Sequence, residues 1–285
     1  VLQFQDDAGV TVDLVGQGPG GIDATVSGRL ASGFGSGDLA IRGQAQAALA
    51  NAFLDPRAVS GTVGFDLSLR GPLALNSLSG GVTLENGRFA DPGLDFAFEN
   101  FSARANLSGG QADLSASLPV STGGIVALSG TVGLSEPYTS ALGLALERVV
   151  LRDAELYQTE VSGQLKVAGP LRGGAQISGR VDLAETEIRV PSTGFGGAGG
   201  LPDLRHSREP HDVHETRRRA GLLDQASAGG VSSATVYGLD VTVSAPKRVF
   251  VRGRGLDAEL GGELRLLGST ANVQPAGAFN LIRGH

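Results

Sequence analysis

The chain has 285 residues, 45 of them glycine and none of them cysteine, methionine or tryptophan, which excludes disulfide frameworks, thiolate nucleophiles and Cys-ligated metal sites. With 41% hydrophobic and 18% charged residues it is too apolar for ordinary disorder and lacks the strict triplet of collagen. Its net charge of −6 gives no reason to expect nucleic acid or an anionic membrane surface as partner. A sequence without methionine reads as an internal segment of a longer protein, with Val1 cutting into a strand. No apolar run reaches the roughly 18 residues needed to span a bilayer.

Along the chain, short runs alternate apolar and polar residues between glycines. Gln44–Asp55 breaks that pattern: it is alanine-rich, stops before Pro56, and predicts one short helix or helical turn. In 63–70, Val63, Phe65, Leu67 and Leu69 alternate with Gly64, Asp66, Ser68 and Arg70, the signature of a half-buried strand. Asn86-Gly87 suits a tight hairpin. Strand runs follow at 95–98, 142–146, 161–167, 181–190, 239–243, 249–251 and 259–266. Well over ten strands are expected.

Three stretches are alike: VGFDLSLRGPL (63–73), VSGQLKVAGPL (161–171) and LGGELRLLGST (260–270). Each closes on a glycine (Gly71, Gly169, Gly268), and a second glycine follows nine or ten residues later (Gly80, Gly179, Gly277). A unit with one apolar face cannot cover that face alone, so such units stack along one sheet. Glycines inside the strands weaken them but permit bends, as a continuously curving sheet requires.

Residues 194–226 form a long Gly-rich and charged loop, with a helix expected from Asp212 to about Ala226. Gly194, Gly196 and Gly199 satisfy G-x-G-x-x-G, but Leu201-Pro202-Asp203 follows in place of a helix, so a hinge is the better reading. His206, His211 and His214 lie among Glu209, Asp212 and Glu215 without the spacing of a helical metal site, and read as a solvated linker. Arg217, Arg218 and Arg219 read as a solvated helix face. No nucleophile elbow, H-E-x-x-H or phosphate loop occurs, and no enzyme activity, metal or cofactor is expected.

The distributed signal is the apolar face. Its strongest positions are Leu165, Val167, Val181, Leu183, Ile188, Val190, Val241, Val243, Val249, Val251, Leu264, Leu266, Phe279 and Leu281. The pattern alone is equally compatible with the core of a closed sandwich or barrel and with a groove inside one long curved sheet. Too little helix to cover a long sheet, and a repeat that grows in one direction, favour the groove, a surface suited to acyl chains.

From about Ala220 onward the sequence resembles the C-terminal region of TamB, the inner-membrane-anchored subunit of the bacterial translocation and assembly module. The residues concerned are RAGL (219–222), LDVTVSAPKRVFVRGRGLDAELGGELRLLGS (239–269) and ANVQPAGAFNLIRG (271–284), with the run from Val249 to Gly262 the most specific. The resemblance implies an all-β, elongated curved antiparallel sheet, a β-taco with an apolar inner groove and one or two short helices, related to AsmA-like lipid transfer proteins. Residues 1–193 would form repeated strand units, 194–226 the loop, and 227–285 a truncated C-terminal β segment. It implies the periplasm of a Gram-negative-type bacterium, with an inner-membrane anchor preceding this segment. It also implies phospholipids or nascent outer-membrane proteins as cargo and a TamA-like outer-membrane barrel as partner, engaged by an end beyond His285. The alternative is an extracellular adhesin or autotransporter-type β-solenoid.

Overall fold

A computed structural model describes residues 2–5, 9–18, 21–153, 155–190 and 236–284. Fifteen strands form one sheet in strict sequence order. They are β1 (Leu2–Gln5), β2 (Gly9–Gly18), β3 (Ile22–Leu30), β4 (Ser36–Gln46), β5 (Ala58–Pro72), β6 (Leu78–Ala90), β7 (Ala97–Ser108) and β8 (Gln111–Pro119). There follow β9 (Ile125–Gly133), β10 (Thr139–Asp153), β11 (Tyr157–Pro170), β12 (Gln176–Arg189), β13 (Gly238–Gly253), β14 (Leu256–Ser269) and β15 (Asn272–Gly284). The sheet is curved and open, as the β-taco expectation has it.

Every junction is antiparallel except β12/β13, where Gln176 faces Gly238 and Arg189 faces Arg252 in parallel register. The expected antiparallel sheet is corrected at this one place. The physical reason is chain length: a parallel pair needs a crossover of about a dozen residues or more, which 191–235 supply, whereas the other connections are short. Ion pairs on the wet face bridge the join, with Arg252 on Glu187 at 2.6 Å, Arg180 on Glu263 at 2.9 Å, and Arg248 on Glu185.

The three sequence repeats have one register. The fifth residue of each, Leu67, Leu165 or Leu264, lies opposite the second glycine, Gly80, Gly179 or Gly277, on the next strand. An added Cβ at Gly179 would lie 2.2 Å from the carbonyl oxygen of Gln164, and its φ of 141° is one that L side chains rarely adopt. The sequence similarity therefore encodes a close strand approach.

A second source of curvature is a line of register shifts. From β10 to β15 the shifts fall side by side, at Leu146/Val149, Thr159/Val161, Asp182/Thr186, Ala245/Val249 and Glu259/Leu260. Such bulges bend and twist the strands that carry them. Arg148 and Arg248 occupy the left-handed region there, at φ 50° and 70°. Their N–H groups donate to Ser162 Oγ (3.0 Å) and Glu259 Oε1 (3.1 Å). Runs 239–243 and 249–251, expected as separate strands, are thus the two arms of one bulged strand, β13.

Other local expectations shift for tertiary reasons. Asn86-Gly87 is a bulge inside β6 and not a hairpin: Asn86 takes the left-handed conformation at φ 51°, and a Cβ on Gly87 would meet the Phe101 ring at 2.7 Å. Among the described residues, helical structure is confined to two 3₁₀ turns, Ala47–Ala50 and Leu75–Ser77, and one α turn, Asn51–Leu54. Gln44, Ala45 and Gln46 remain in β4 because Ala45 pairs with Val63 on the apolar face. β7 starts at Ala97 and not Asp95, since Asp91 Oδ1 accepts the Gly93 N–H and the chain turns there first. The expected helix at 212–226, the glycine motif at 194–199, the three histidines and the arginine triplet lie outside the described residues.

Cross-strand ion pairs populate the wet face. Arg265 grips both carboxylate oxygens of Asp240 at 2.7 and 2.8 Å, and this hydrogen bonding holds the Asp240 carboxyl below the ordinary aspartate range against the smaller opposing effect of desolvation. A depressed pKa in the folded state gives stability above the unfolded pKa that is lost as pH falls through the folded one. Asp240→Asn is therefore expected to melt below the unsubstituted chain at neutral pH, with the two melting curves converging below about pH 4. Calorimetry at stepped pH checks this; a gap that persisted at low pH would assign the loss to something other than the Arg265 pair.

Candidate functional site: an apolar trough

Alternation on each strand and pairing between strands place the apolar side chains in rows that cross the sheet. One row runs Val63, Leu84, Ala103, Ala116, Leu128, Leu144, Leu165, Gly179, Val241, Leu266, Pro275, through eleven successive strands from β5 to β15. No charged residue interrupts it. The neighbouring row includes Val181, Val243 and Leu264.

Burial shows how the sheet is shaped around this face. Among the described residues no helical layer packs on the sheet, yet Val149 is 2% exposed and Val161 and Val249 are each 4% exposed. A flat single sheet would leave both faces open. The sheet itself curls over its apolar side, along the line of register shifts, while the charged face remains wet.

All the positions singled out in the sequence lie on this one face. Leu165 and Val167 (β11), Val181 and Leu183 (β12), Val241 and Val243 (β13), and Leu264 and Leu266 (β14) are on one side of the bend. Ile188, Val190, Val249 and Val251 are on the other side. Phe279 and Leu281 pair with Gly262 and Leu260 on β15. Leu281 is 63% exposed because β15 is the outermost described strand, with no described strand on its far side.

The sequence reading left out the upstream half of the same face. Val10, Val12, Leu39 and Leu69 form a buried cluster with Val26, Leu30, Ile41 and Leu78 packed on it. A second cluster, Val120, Val126 and Val149, gathers Phe96 and Phe98, whose rings meet edge to face at 5.6 Å. The signal was available in the alternation at 63–70, which has the same period as the downstream strands. The aromatic pair is signalled by the run 95–98, where Phe96 and Phe98 alternate with Asp95 and Ala97, although Phe96 lies just before β7.

Polar groups within the face are satisfied internally. Thr159 and Thr186, both buried, share a hydroxyl hydrogen bond of 2.7 Å, and the Ser140 hydroxyl donates to the Gly169 carbonyl at 2.9 Å. Among the described residues no buried side-chain polar atom lacks a partner, and no group of three metal-ligating side chains occurs. The face therefore offers apolar contact and almost nothing that reads polar chemistry. A cavity of about 520 Å³ beside the β6–β7 connection is lined partly by Arg88, Asp91 and Glu99, engaged in the Arg57–Asp91 and Arg88–Glu99 pairs.

Residues 111–285, from the first residue of β8 onward and more than half of the chain, match the TamB C-terminal domain. The chain belongs to the TamB family. No curated protein matches it, and no solved structure does. The TamB match extends well upstream of Ala220, so the repeated strands β8 to β12 belong to the family domain together with β13 to β15. Membership makes this a TamB-like envelope protein, of a family concerned with transport and assembly. One sheet with its strands in sequence order, antiparallel at every junction but β12/β13, also sets the TamB chain apart from a β-solenoid, whose coils stack in parallel at a short fixed repeat. No helix among the described residues is long and apolar enough to cross a membrane.

Proposed function

We propose that the apolar trough shields phospholipid acyl chains in transit between the inner and outer membranes, as the periplasmic part of a non-enzymatic TamB protein. Its parent protein would be anchored in the inner membrane and work with a TamA-like outer-membrane barrel. The observation that carries this reading is the apolar row through β5 to β15, which no charged residue interrupts. Each methylene removed from water is worth about 0.8 kcal/mol, so a surface long and uniform enough to cover many methylenes at once holds an acyl chain without choosing its headgroup. The alternative cargo, a nascent barrel strand, carries backbone N–H and C=O groups that need partners. The trough face gives them almost none, since its buried hydroxyls are already paired, and this favours lipid.

Photo-crosslinking from Val181, Val243 and Leu264 in cells, followed by mass identification of the adducts, tests the proposal. Phospholipid adducts are the expected result. Adducts to barrel proteins would move the function to outer-membrane protein assembly, and no adduct at any of the three sites would mean that the face is closed core.

A further inference from the structure

The two lips of the trough differ. Alternate connections fall on the same edge of a sequential antiparallel sheet, so from β3 onward the β3–β4, β5–β6, β7–β8, β9–β10, β11–β12 and β14–β15 connections, with the start of β13, form one lip, which the β1–β2 connection continues. The β4–β5, β6–β7, β8–β9, β10–β11 and β13–β14 connections form the other. Among the described residues, the connections of the first lip hold two charged side chains, Glu136 and Arg172, and these pair with each other. Those of the second lip hold Asp55, Arg57, Asp91, Asp95, Glu155 and Arg254.

Both lips expose apolar side chains to water, Leu49 and Leu94 among them on the second, but on the first they stand among far fewer charged ones. Phe34 is 55% exposed, Leu75 57%, and Leu73, Val236 and Val273 between 46% and 47%. Leu73 continues the alternate positions of Leu67 and Leu69, and Val273 faces Gly268 in the row that includes Val167 and Leu239. At β5 and at β15 the aliphatic floor thus runs out to this edge. Several adjacent turns are hydrogen-bonded to one another along this border: Leu73 N–H donates to Gly35 O (3.2 Å), Leu134 N–H to Gly110 O (2.8 Å), Leu171 N–H to Tyr138 O (3.2 Å) and Thr270 N–H to Tyr237 O (2.9 Å).

We infer that phospholipid acyl chains enter and leave the trough sideways over this neutral lip, between Phe34 and Val273, and not over the charged lip opposite. The inference rests on the lipid-shielding reading of the same trough. An acyl chain crossing the neutral lip keeps its methylenes against apolar surface from the edge to the floor, whereas the opposite lip would make it displace water from charged groups, which is costly. The near absence of net charge among the described residues of the neutral lip from β3 to β15 also leaves that stretch indifferent to whether the headgroup outside is zwitterionic or anionic.

The test uses the full chain and neutral phosphatidylcholine vesicles containing a pyrene-labelled phosphatidylcholine, with uptake followed by loss of excimer emission. The triple variant Phe34→Asp, Leu75→Asp, Val236→Asp on the neutral lip is compared with Leu49→Asp, Leu94→Asp on the other. All five residues are exposed, so both variants are expected to fold, and circular dichroism confirms it. The neutral-lip variant is expected to take up lipid at least tenfold more slowly and reach the same plateau, with the charged-lip variant unchanged. Equal rates in both variants, or a plateau that falls with the rate, would overturn lateral entry while leaving the trough as a lipid site. No uptake even by the unsubstituted chain would instead overturn the lipid reading itself.

Discussion

Gly179→Ala is expected to destabilise the chain by about 2–4 kcal/mol, whereas Gly143→Ala changes stability by less than about 1 kcal/mol. Both glycines stand inside strands, so glycine's weak strand propensity is common to the two. They differ in the space and the conformation they occupy. A methyl group at Gly179 would lie 2.2 Å from the Gln164 carbonyl oxygen and 3.0 Å from the Leu165 Cα, atoms of the neighbouring backbone that can move only by opening the sheet. At Gly143 the nearest atom is Ser129 O at 3.7 Å, ordinary van der Waals contact. Gly80 and Gly277, the equivalent glycines of the other two repeats, have Cβ positions 2.2 and 2.3 Å from carbonyl oxygens and are expected to behave like Gly179. Urea denaturation of the four variants measures this. If Gly143→Ala cost as much as Gly179→Ala, the close-approach account of the repeat would be wrong.

The second large effect concerns the trough floor. The triple variant Leu165→Asp, Val243→Asp, Leu264→Asp is expected to reduce phospholipid adducts from Val181 by roughly a hundredfold, because an unpaired carboxylate on an apolar surface costs several kcal/mol or must take up a proton. The three residues are half-buried and border an open trough, so water reaches the new carboxylates in the empty protein and folding survives. Lys166→Asp, on the wet face of β11 between Leu165 and Val167, is the control and leaves adduct formation unchanged. Adducts at the original level with all three aspartates present would remove the trough from the transport path.

Much of this architecture is legible in the residues. Alternation at 63–70, 161–167 and 259–266 reports both the strands and the face each one buries, because the strand period of two is a local property of the backbone. The recurring Leu and Gly of the repeats even anticipates a shared register. Other features are set by residues far away in sequence. Asn86-Gly87 has the composition of a hairpin turn, yet it folds as a bulge because Phe101 of the next strand packs against Gly87. Gln44–Gln46 has helical composition, yet pairing of Ala45 with Val63 keeps it extended.

The same division applies to the site. By itself the sequence determined that this protein is an all-β chain with one aliphatic face, that the face recurs from Val63 to Leu281, and that its C-terminal part is TamB-like. Only the tertiary structure decided that the face is the inside of a single open sheet and not the core of a closed sandwich, that β12 and β13 run parallel, and that one lip is neutral while the other is charged. The reason is physical: alternation records which side of a strand is apolar, but the order, direction and bending of strands depend on pairings between residues that are distant in the chain.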